Sequence, residues 1–451
     1  MTADATVYDP LSASLPQRPL EHVDSYWHAT AGPAPPDDGP LNSDIATDIA
    51  IIGAGYTGLS CAYTLAHQFG LRAVVLEANH PAWGCSGRNG GFARIALGRL
   101  PISRWVGDWG SAIAREMFSE AQEALETVRE LIAAANIECD RAPDGYLKIA
   151  HSRAHISALE REQRLLLDVC GYRTELVSAA VLRSDYFRGE EAFAALRYPD
   201  GFAVHPMKFA HGLLRMAREA GAVVHSRSPV AQWTRAGGQH VLHTPQGAVR
   251  ARRVVIATNG YSTERLHPAL KARLIPVLSN IVVTRPLTDS EQRESNIITS
   301  DIMSDTRTVL NYYRRLADGR MLLGSRGPIH ESAGNVRRDK LLETLHRKFP
   351  ALREVTADYC WGGWVALTMD QLPHVHTIEE EPTVSYAIGY NGSGVSAATY
   401  AGRRLAQSLM HGAPVYRKIA TPLPRVPFPS FRRVGQAIAF GWFRLKDRYG
   451  G

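Results

Sequence analysis

The stretch that decides the fold is DIAIIGAGYTGLSCAYTLAHQFGLRAVVLE, residues 48–77. It predicts an apolar strand, a glycine turn, a helix and a second apolar strand that ends in an acid. Gly53 permits the tight turn, Gly55 lets backbone approach a diphosphate, and Gly58 lets the helix pack against the strand. Because all of these parts occur in order, the stretch predicts a dinucleotide-binding βαβ unit.

Glu77 is expected at the tip of the second strand, where with Ala78 it meets a ribose diol. An acid there favours an unphosphorylated adenosine ribose, because a 2′-phosphate would be repelled. The first helical residues, Tyr56 and Thr57, are expected at the diphosphate, where a helix start offers N–H groups and partial positive charge. This stretch alone does not separate FAD from NAD, and a glycine turn without a ligand stays open as an alternative.

The composition is that of an ordinary soluble enzyme, with 45% hydrophobic and 21% charged residues and a net charge of +7. No run of lysine and arginine suggests a nucleic-acid partner. The cysteines never form CxxC, which argues for a reducing compartment and against a disulfide framework or a metal site such as zinc. Without a secretory signal or a spanning apolar run, we expect a cytoplasmic protein. The five cysteines are Cys61, Cys85, Cys139, Cys170 and Cys360.

A second glycine-rich loop, NHPAWGCSGRNGGFARIALG at 79–98, follows the ribose acid. Backbone with so few Cβ atoms can lie against a planar ligand or surround phosphates. We interpret it as a second cofactor loop with Arg88 near an anionic or electron-accepting group, the alternative being a flexible surface loop. The residues expected at the cofactor are Ser86, Gly87, Arg88, Asn89, Gly90 and Gly91.

Beyond this loop the βα pattern is interrupted and then resumes. An amphipathic helix from Ile113 to Ile132 and a strand at 145–150 indicate an inserted domain. The pattern returns near residue 200, and residues 274–368 predict a mostly antiparallel sheet over the ligand crevice. An apolar strand ending in Thr258 and Gly260, and a late turn with Gly392, Gly394 and Val395 before a helix, are expected to line the crevice.

The motifs GAGYTG, CSGRNGGF, VVIATNGY, NYYRR, WGGWVALTMDQLPHV and GYNGSGV together resemble the FAD-dependent amine and amino-acid oxidoreductases of the D-amino-acid oxidase (DAO) superfamily. GRNGG and the SYW arm are most similar to its γ-glutamylputrescine oxidoreductase branch. The resemblance implies an α/β fold, with a Rossmann-like FAD-binding domain and an inserted α+β substrate domain built on a mostly antiparallel sheet. The expected divisions are an N-terminal arm at 1–45, the FAD-binding domain at 46–100, 196–268 and 369–425, the substrate domain at 101–195 and 269–368, and a C-terminal helix at 426–451.

The resemblance also implies roles for individual residues. The first glycines would hold the diphosphate, Glu77 the ribose, and Val230 the adenine through its backbone. The second loop would lie along the flavin, and residues 392–395 would face its pyrimidine end, where a helix dipole stabilises the reduced anionic flavin. Substrate would enter beside the aromatic sheet residues Tyr312, Tyr313, Trp361 and Trp364.

Three departures limit the resemblance. The carboxylate-binding arginine of related amino-acid oxidases is missing before Asp370, which speaks against a small α-amino acid. The flavin-linking cysteine and histidine of other relatives are also missing, so we expect non-covalent FAD, with Cys85 a minor candidate for attachment. The oxygen-activating lysine of the sarcosine branch has no counterpart in Met321–Gly324, so the electron acceptor, oxygen or a carrier, stays open.

We therefore expect oxidation of a small-molecule amine, first of all a γ-glutamylated polyamine such as γ-glutamylputrescine, by hydride transfer to flavin. The resulting imine is hydrolysed to aldehyde and amine. Tyr312, Trp364 and His205 are the candidate catalytic residues, each with ordinary packing as its alternative. The alternatives for the protein are an N-demethylating or opine-type dehydrogenase that uses a carrier, and a flavin-binding regulatory or assembly protein. The basic amphipathic C-terminal segment allows membrane contact, but packing on the protein itself or on a partner is favoured.

Overall fold

The computed structural model describes residues 8–12, 19–327 and 334–449. Its strands are β1 Ile45–Ile52, β2 Val74–Leu76, β3 Phe92–Ala93, β4 Tyr146–Ile149, β5 Glu175–Ser178, β6 Ala194–Tyr198, β7 Phe202–Ala203, β8 Val223–His225, β9 Gln232–Ala236, β10 Gln239–His243, β11 Ala248–Ile256, β12 Ile275–Thr284, β13 Ile302–Asp305, β14 Asn311–Arg315, β15 Met321–Arg326, β16 Ala357–Leu367, β17 His374–Thr377 and β18 Val384–Ile388.

The helices precede, connect and follow these strands. They are α1 Tyr26–Thr30, α2 Tyr56–Phe69, α3 Ile102–Ala134, α4 Ile156–Cys170, α5 Ala179–Val181, α6 Pro206–Glu219, α7 Asp289–Ser295, α8 Gly334–Lys348, α9 Gly394–His411 and α10 Arg432–Tyr449. The predicted helix at 113–132 is the second part of α3, which begins earlier and is kinked at Gly110, where φ is +83°.

The first sheet has the order β17-β18-β11-β1-β2-β8, with the hairpin β9–β10 attached to β11. The strands from β18 to β8 are parallel, and Ala50 of β1 lies between Val254 of β11 and Val74 of β2. The carboxyl-terminal parts of β1 and β11, at 49–52 and 254–256, are continuously apolar and buried, as expected for strands covered on both faces. The carboxyl ends of β1, β2 and β11 meet at one edge, which places the glycine turn, Glu77 and Thr258 together.

The second sheet has the order β16-β12-β15-β14-β13-β4-β6-β5. Every pair is antiparallel except β13 with β4. Its strands come from 146–198 and 275–367, whereas the substrate domain was predicted at 101–195 and 269–368, so β6 runs past the first predicted limit. The α/β fold class is confirmed, whereas the domain limits themselves stay a prediction.

The N-terminal arm and the C-terminal segment both dock on this body. Trp27 of α1 is buried, and its indole donates to the carbonyl of Asn89 at 2.8 Å. At the other end, Arg433 of α10 forms an ion pair with Asp9. The arm therefore contacts the second glycine loop from outside.

Candidate active site

One large cavity lies between the two sheets at the carboxyl edge of β1, β2 and β11. It encloses about 2020 Å³ of empty space, its open mouth included. Its lining includes residues of the first glycine turn, of the second glycine loop and of both sheets. The wall is mostly apolar, with a few charged side chains at defined places.

The first glycine turn has the geometry that a dinucleotide requires. Gly53 has a φ of +108°, and a Cβ there would lie 2.9 Å from the carbonyl oxygen of Ala257. A Cβ on Gly58 would lie 1.9 Å from the carbonyl oxygen of Gly53, so α2 packs directly on the turn. Gly55, Tyr56 and the next residue, Thr57, line the cavity and present the positive end of α2 to it.

Glu77 follows β2 at the cavity wall. Its carboxylate accepts the N–H of Ala54 at 2.8 Å and of Asn79 at 3.0 Å, which fixes its orientation. Burial raises its pKa, although these N–H groups oppose the shift. A carboxylate has about four lone-pair sites, so acceptor capacity is left for the two hydroxyls of a ribose.

The second glycine loop is held by hydrogen bonds within the loop and by a hydrogen bond to the start of α2. The Asn89 side chain donates to the carbonyls of Cys85 and Ser86, and its oxygen accepts the N–H of Gly91 at 2.7 Å. Ser86 accepts the N–H of Tyr56 at 3.0 Å, so the loop caps the start of α2. These hydrogen bonds fix the loop to the start of α2, which contradicts the alternative of a flexible surface loop.

Arg88 of this loop is buried although it has no carboxylate partner among the described residues. Its Nε donates to the carbonyl of Trp83 at 2.7 Å, and the guanidinium stacks 4.1 Å from the centre of that indole. Its Nη2 is buried and makes no hydrogen bond within the described ranges. A buried donor without a partner in a cavity wall can donate a hydrogen bond to an acceptor on a bound molecule.

The far end of the cavity is formed by the start of α9 and the end of β15. Gly392 has a φ of +96°, and a Cβ there would lie 2.3 Å from Nη2 of Arg326. Arg326 donates from Nη2 to the carbonyl of Asn391 at 2.7 Å, while its Nη1 is buried and unbonded within the described residues. Burial, followed by the charges of Arg99 and Arg94, lowers its pKa well below its ordinary value. A guanidinium nevertheless stays charged at neutral pH.

Of the four aromatic residues expected around the substrate, Tyr312 lines the cavity. Its ring lies between two glycines, because a Cβ on Gly90 would be 2.7 Å and one on Gly324 2.1 Å from its atoms. Its hydroxyl is 3.0 Å from that of Ser279, and burial raises its pKa to about 12. Tyr313, the next residue of β14, points to the opposite face and is buried there against Phe349.

Trp364 and Trp361 do not line the cavity, and neither does His205. The indole of Trp364 donates to the carbonyl of Tyr8, on the face of β16 opposite to Gly363. The indole of Trp361 donates to the carbonyl of Arg88 at 2.9 Å. These tryptophans hold the arm and the loop in place, and neither reaches the space where a substrate would lie.

His205 is the N-cap of α6. Its Nδ1 accepts the N–H of Lys208 at 3.2 Å, and its Nε2 lies 3.0 Å from the hydroxyl of Thr30, which itself donates to the carbonyl of Tyr26. Both ring nitrogens are thus engaged in the neutral form, and burial lowers the pKa to about 3. Such a histidine caps a helix and cannot exchange a proton with a substrate in the cavity.

Most of the predicted cofactor residues line the cavity. They are Gly53, Gly55, Tyr56, Thr57, Glu77, Ala78, Ser86, Arg88, Asn89, Gly90, Val230, Thr258, Gly392, Gly394 and Val395. The other four, Gly58, Gly87, Gly91 and Gly260, are glycines behind the wall. A Cβ at each of these would come within 2.6 Å of backbone, so they allow close packing.

Cys85 lines the cavity but is not poised for attachment to a flavin. Its thiol is 2.8 Å from the carbonyl of Trp364, and burial raises its pKa to about 12. The nucleophile in such reactions is the thiolate, which this environment disfavours.

The sequence missed a polar cluster at the far end of the cavity. Arg94 lies over the ring of Tyr146 at 5.6 Å, and the hydroxyl of Tyr146 is 2.7 Å from that of Ser304. All three line the cavity. The guanidinium of Arg94 forms no ion pair among the described residues, although its charge acts at longer range on the carboxylate of Glu162. These residues lie on three separate segments, so no local pattern could have brought them together.

The cavity is bordered by the βαβ glycine turn and Glu77, by the second glycine loop and by the start of α9. This arrangement is that of a flavin-dependent oxidoreductase. The buried unpaired donors of Arg88 and Arg326 fit a cofactor rich in acceptors. The family model described as "FAD dependent oxidoreductase" (DAO) matches residues 48–408. The chain belongs to this family, which confirms the predicted family, the enzyme class and FAD as the cofactor.

Individual relatives agree with the family. The chain is 32% identical over 438 residues to a γ-glutamylputrescine oxidoreductase of Escherichia coli, covering 95% of this chain and 99% of that one. It is 28% identical to the probable oxidoreductase OrdL of Haemophilus influenzae, over 86% of this chain and 89% of that one. Among solved structures, glycine oxidase from Geobacillus kaustophilus has a similar fold, with a TM-score of 0.68, 20% identity and coverage of 84% of this chain and 99% of that one.

Proposed function

We propose that the protein oxidises a small amine that carries a carboxylate at a distance from the reacting nitrogen, with γ-glutamylputrescine as the first substrate. The observation that supports this is the charge of the cavity wall. Among the described residues, the wall carries three guanidinium groups, Arg88, Arg94 and Arg326, whereas the one carboxylate in it is that of Glu77, at the end expected to hold the ribose. An anionic group is therefore favoured at the end away from the ribose.

Bound FAD would supply the oxidant, as the acceptor of a hydride from the carbon next to the amine nitrogen. Water would hydrolyse the resulting imine to an aldehyde and, where the reacting nitrogen is a primary amine, ammonia. We assign Arg326 to the pyrimidine end of the flavin, where it adds positive charge beside the start of α9. Arg94, with Tyr146 and Ser304, is assigned to the substrate carboxylate. Arginine suits this role because its planar fork matches a carboxylate.

The remaining requirement is a neutral amine at the reacting carbon. The guanidinium group of Arg326, assigned beside the flavin, disfavours an ammonium there, because like charges repel. The ring of Tyr312, fixed between two glycines, provides an apolar wall at this end. No proton-transfer residue is assigned beyond this, since lowering the pKa of the amine is enough for hydride release.

The first test is anaerobic mixing of the purified holoenzyme with γ-glutamylputrescine while the flavin absorbance is followed. We expect bleaching, whereas absence of bleaching with this and other amines would refute the proposal. Admission of air then distinguishes oxygen from a carrier as the electron acceptor. Fast recovery indicates oxygen, and slow recovery supports a carrier, as in the alternative of an N-demethylating or opine-type dehydrogenase.

The second test concerns the carboxylate. We expect Arg94→Met to lower kcat/KM for γ-glutamylputrescine by about tenfold or more, because charged hydrogen bonds contribute roughly 1.5–3 kcal/mol each. N-acetylputrescine lacks the carboxylate, so its kcat/KM should change little in the same variant. The matched control is Arg104→Met, an exposed arginine on α3. Equal losses for both substrates would contradict the assignment of Arg94.

A further inference from the structure

The C-terminal helix α10 has two different faces. Its inner face is attached to the body of the protein. The side chain of Gln436 donates to the carbonyl of Pro276 at 2.9 Å, and Asp447 accepts the N–H groups of Thr308 and Val309, both at 2.7 Å. Bonds at both ends hold the helix along the surface, so the orientation of its outer face is fixed.

The outer face is an exposed apolar stripe. It consists of Val434, Ile438, Trp442 and Leu445, which are 57%, 68%, 63% and 51% exposed. Their spacing of four, four and three residues puts them on one side of a helix. Phe428 and Phe431, also exposed, continue the stripe in front of the helix. The sequence favoured packing of this segment on the protein itself or on a partner. The side chains of this face do not pack on the described part of the protein, and packing on a partner stays a prediction.

The charges around the apolar stripe are positive. Arg444 and Lys446 are exposed on its two sides. The acid of the helix, Asp447, is turned inward and occupied by backbone N–H groups. At the start of the segment, Val426 donates to the carbonyl of Ala272, which brings the exposed Arg425 close to Lys271. The surface therefore combines large apolar side chains with unopposed cations.

We propose that α10 lies in the interface plane of an anionic phospholipid surface, with the apolar stripe inserted among the lipids and the flanking cations at the headgroups. A helix with Trp, Phe and Leu on one side and Lys and Arg beside them is suited to this position. Among the described residues, no helix is long and apolar enough to cross a membrane. A second copy of the chain is a poorer occupant, because pairing two such helices would bring cations against cations.

Docking by α10 would hold the cavity near the lipid. Asp447 is bonded to the backbone of the loop that precedes β14, and Leu310 of the same loop lines the far end of the cavity. The helix also contacts β16 on its face away from the cavity, since Arg433 lies 5.2 Å from the ring of Trp364.

The experiment is co-sedimentation of the full-length holoenzyme with phosphatidylcholine vesicles and with vesicles that contain about 30% phosphatidylglycerol. We expect binding to the anionic vesicles, and we expect Trp442→Ser to weaken it about tenfold or more, because a large apolar anchor is lost. Reversal of both flanking charges, Arg444→Glu with Lys446→Glu, and added salt should weaken it as well. A matched pair of variants compares Leu445→Ser, within the stripe, with Leu167→Ser as its control. Leu167 lies on α4 and is 48% exposed, so it is a similarly exposed leucine outside the stripe.

Four results would overturn the proposal: no binding to anionic vesicles, equal binding to both kinds of vesicle, unchanged binding of Trp442→Ser, or equal losses in Leu167→Ser and Leu445→Ser. The mass in solution, measured by light scattering, tests the competing occupant. A dimer that Trp442→Ser converts to a monomer would show that a second copy covers the stripe. Flavin content and activity with a soluble dye acceptor should be unchanged in Trp442→Ser, which verifies that the variant is folded.

Discussion

Replacement of His205 by asparagine should remove a pH dependence of stability and leave catalysis intact. The imidazole caps α6 only in its neutral form, since Nδ1 must accept the N–H of Lys208. Burial lowers its pKa to about 3, against about 6.5 in an unfolded chain. The unfolded state therefore binds a proton between these values while the native state does not, and stability is lost as the pH falls through this window.

The magnitude follows from the two pKa values. Between about pH 7.5 and about pH 5, protonation of the unfolded chain at this one residue lowers the free energy of unfolding by roughly 2 kcal/mol. Asparagine keeps the cap, because its side-chain oxygen accepts the same N–H, but it does not titrate. The loss of stability over this interval should thus be about 2 kcal/mol smaller in His205→Asn than in the unchanged protein.

The assay is urea unfolding followed by circular dichroism at both pH values. His67→Asn, at an exposed position of α2, is the matched control and should behave like the unchanged protein. Values of kcat/KM should agree within about twofold for all three proteins, since a capping residue contacts no substrate. The reasoning is refuted if His205→Asn retains the full pH dependence, or if it loses more than about tenfold in kcat/KM together with one step of the pH–rate profile.

Three further outcomes are expected. Glu77→Ala should raise the dissociation constant of FAD by about tenfold or more, because hydrogen bonds to a carboxylate are lost, and fluorescence titration of the apoprotein measures this. Acid precipitation should release all flavin both from the unchanged protein and from Cys85→Ser. Flavin retained in the pellet of the unchanged protein would show that it is covalently attached. Gly324→Ala would place a Cβ 2.1 Å from the ring of Tyr312, so kcat/KM should fall about tenfold with FAD still bound. Gly107→Ala, where a Cβ meets nothing within 4 Å, should have no effect on steady-state kinetics.

The cofactor half of the site was accessible from the sequence because its parts are local. Within 48–77 the chain itself supplies strand, turn, helix and acid, and the carboxyl ends of parallel strands necessarily meet at one edge. The GRNGG loop could be recognised for a similar reason. Its glycines, which allow a ligand or another segment to approach closely, can be read directly from the sequence.

The substrate half was not accessible in this way. Tyr312 and Tyr313 are neighbours with the same chemistry, and only the pairing of β14 in the second sheet decides which faces the cavity. Trp364 was assigned to the wrong side of its strand for the same reason. Arg94 and Tyr146 are far apart in the chain, and the tertiary fold alone gives them a common surface.

By itself, the sequence determined a dinucleotide-binding fold, because short-range spacing encodes a glycine turn and its acid. FAD came from the resemblance of the further motifs to a flavin-dependent family. The tertiary structure decided the rest: which guanidinium groups are left without carboxylates, which histidine is a cap, and which face of α10 remains exposed. These properties depend on what lies opposite each side chain, and that is set by packing between segments distant in the chain.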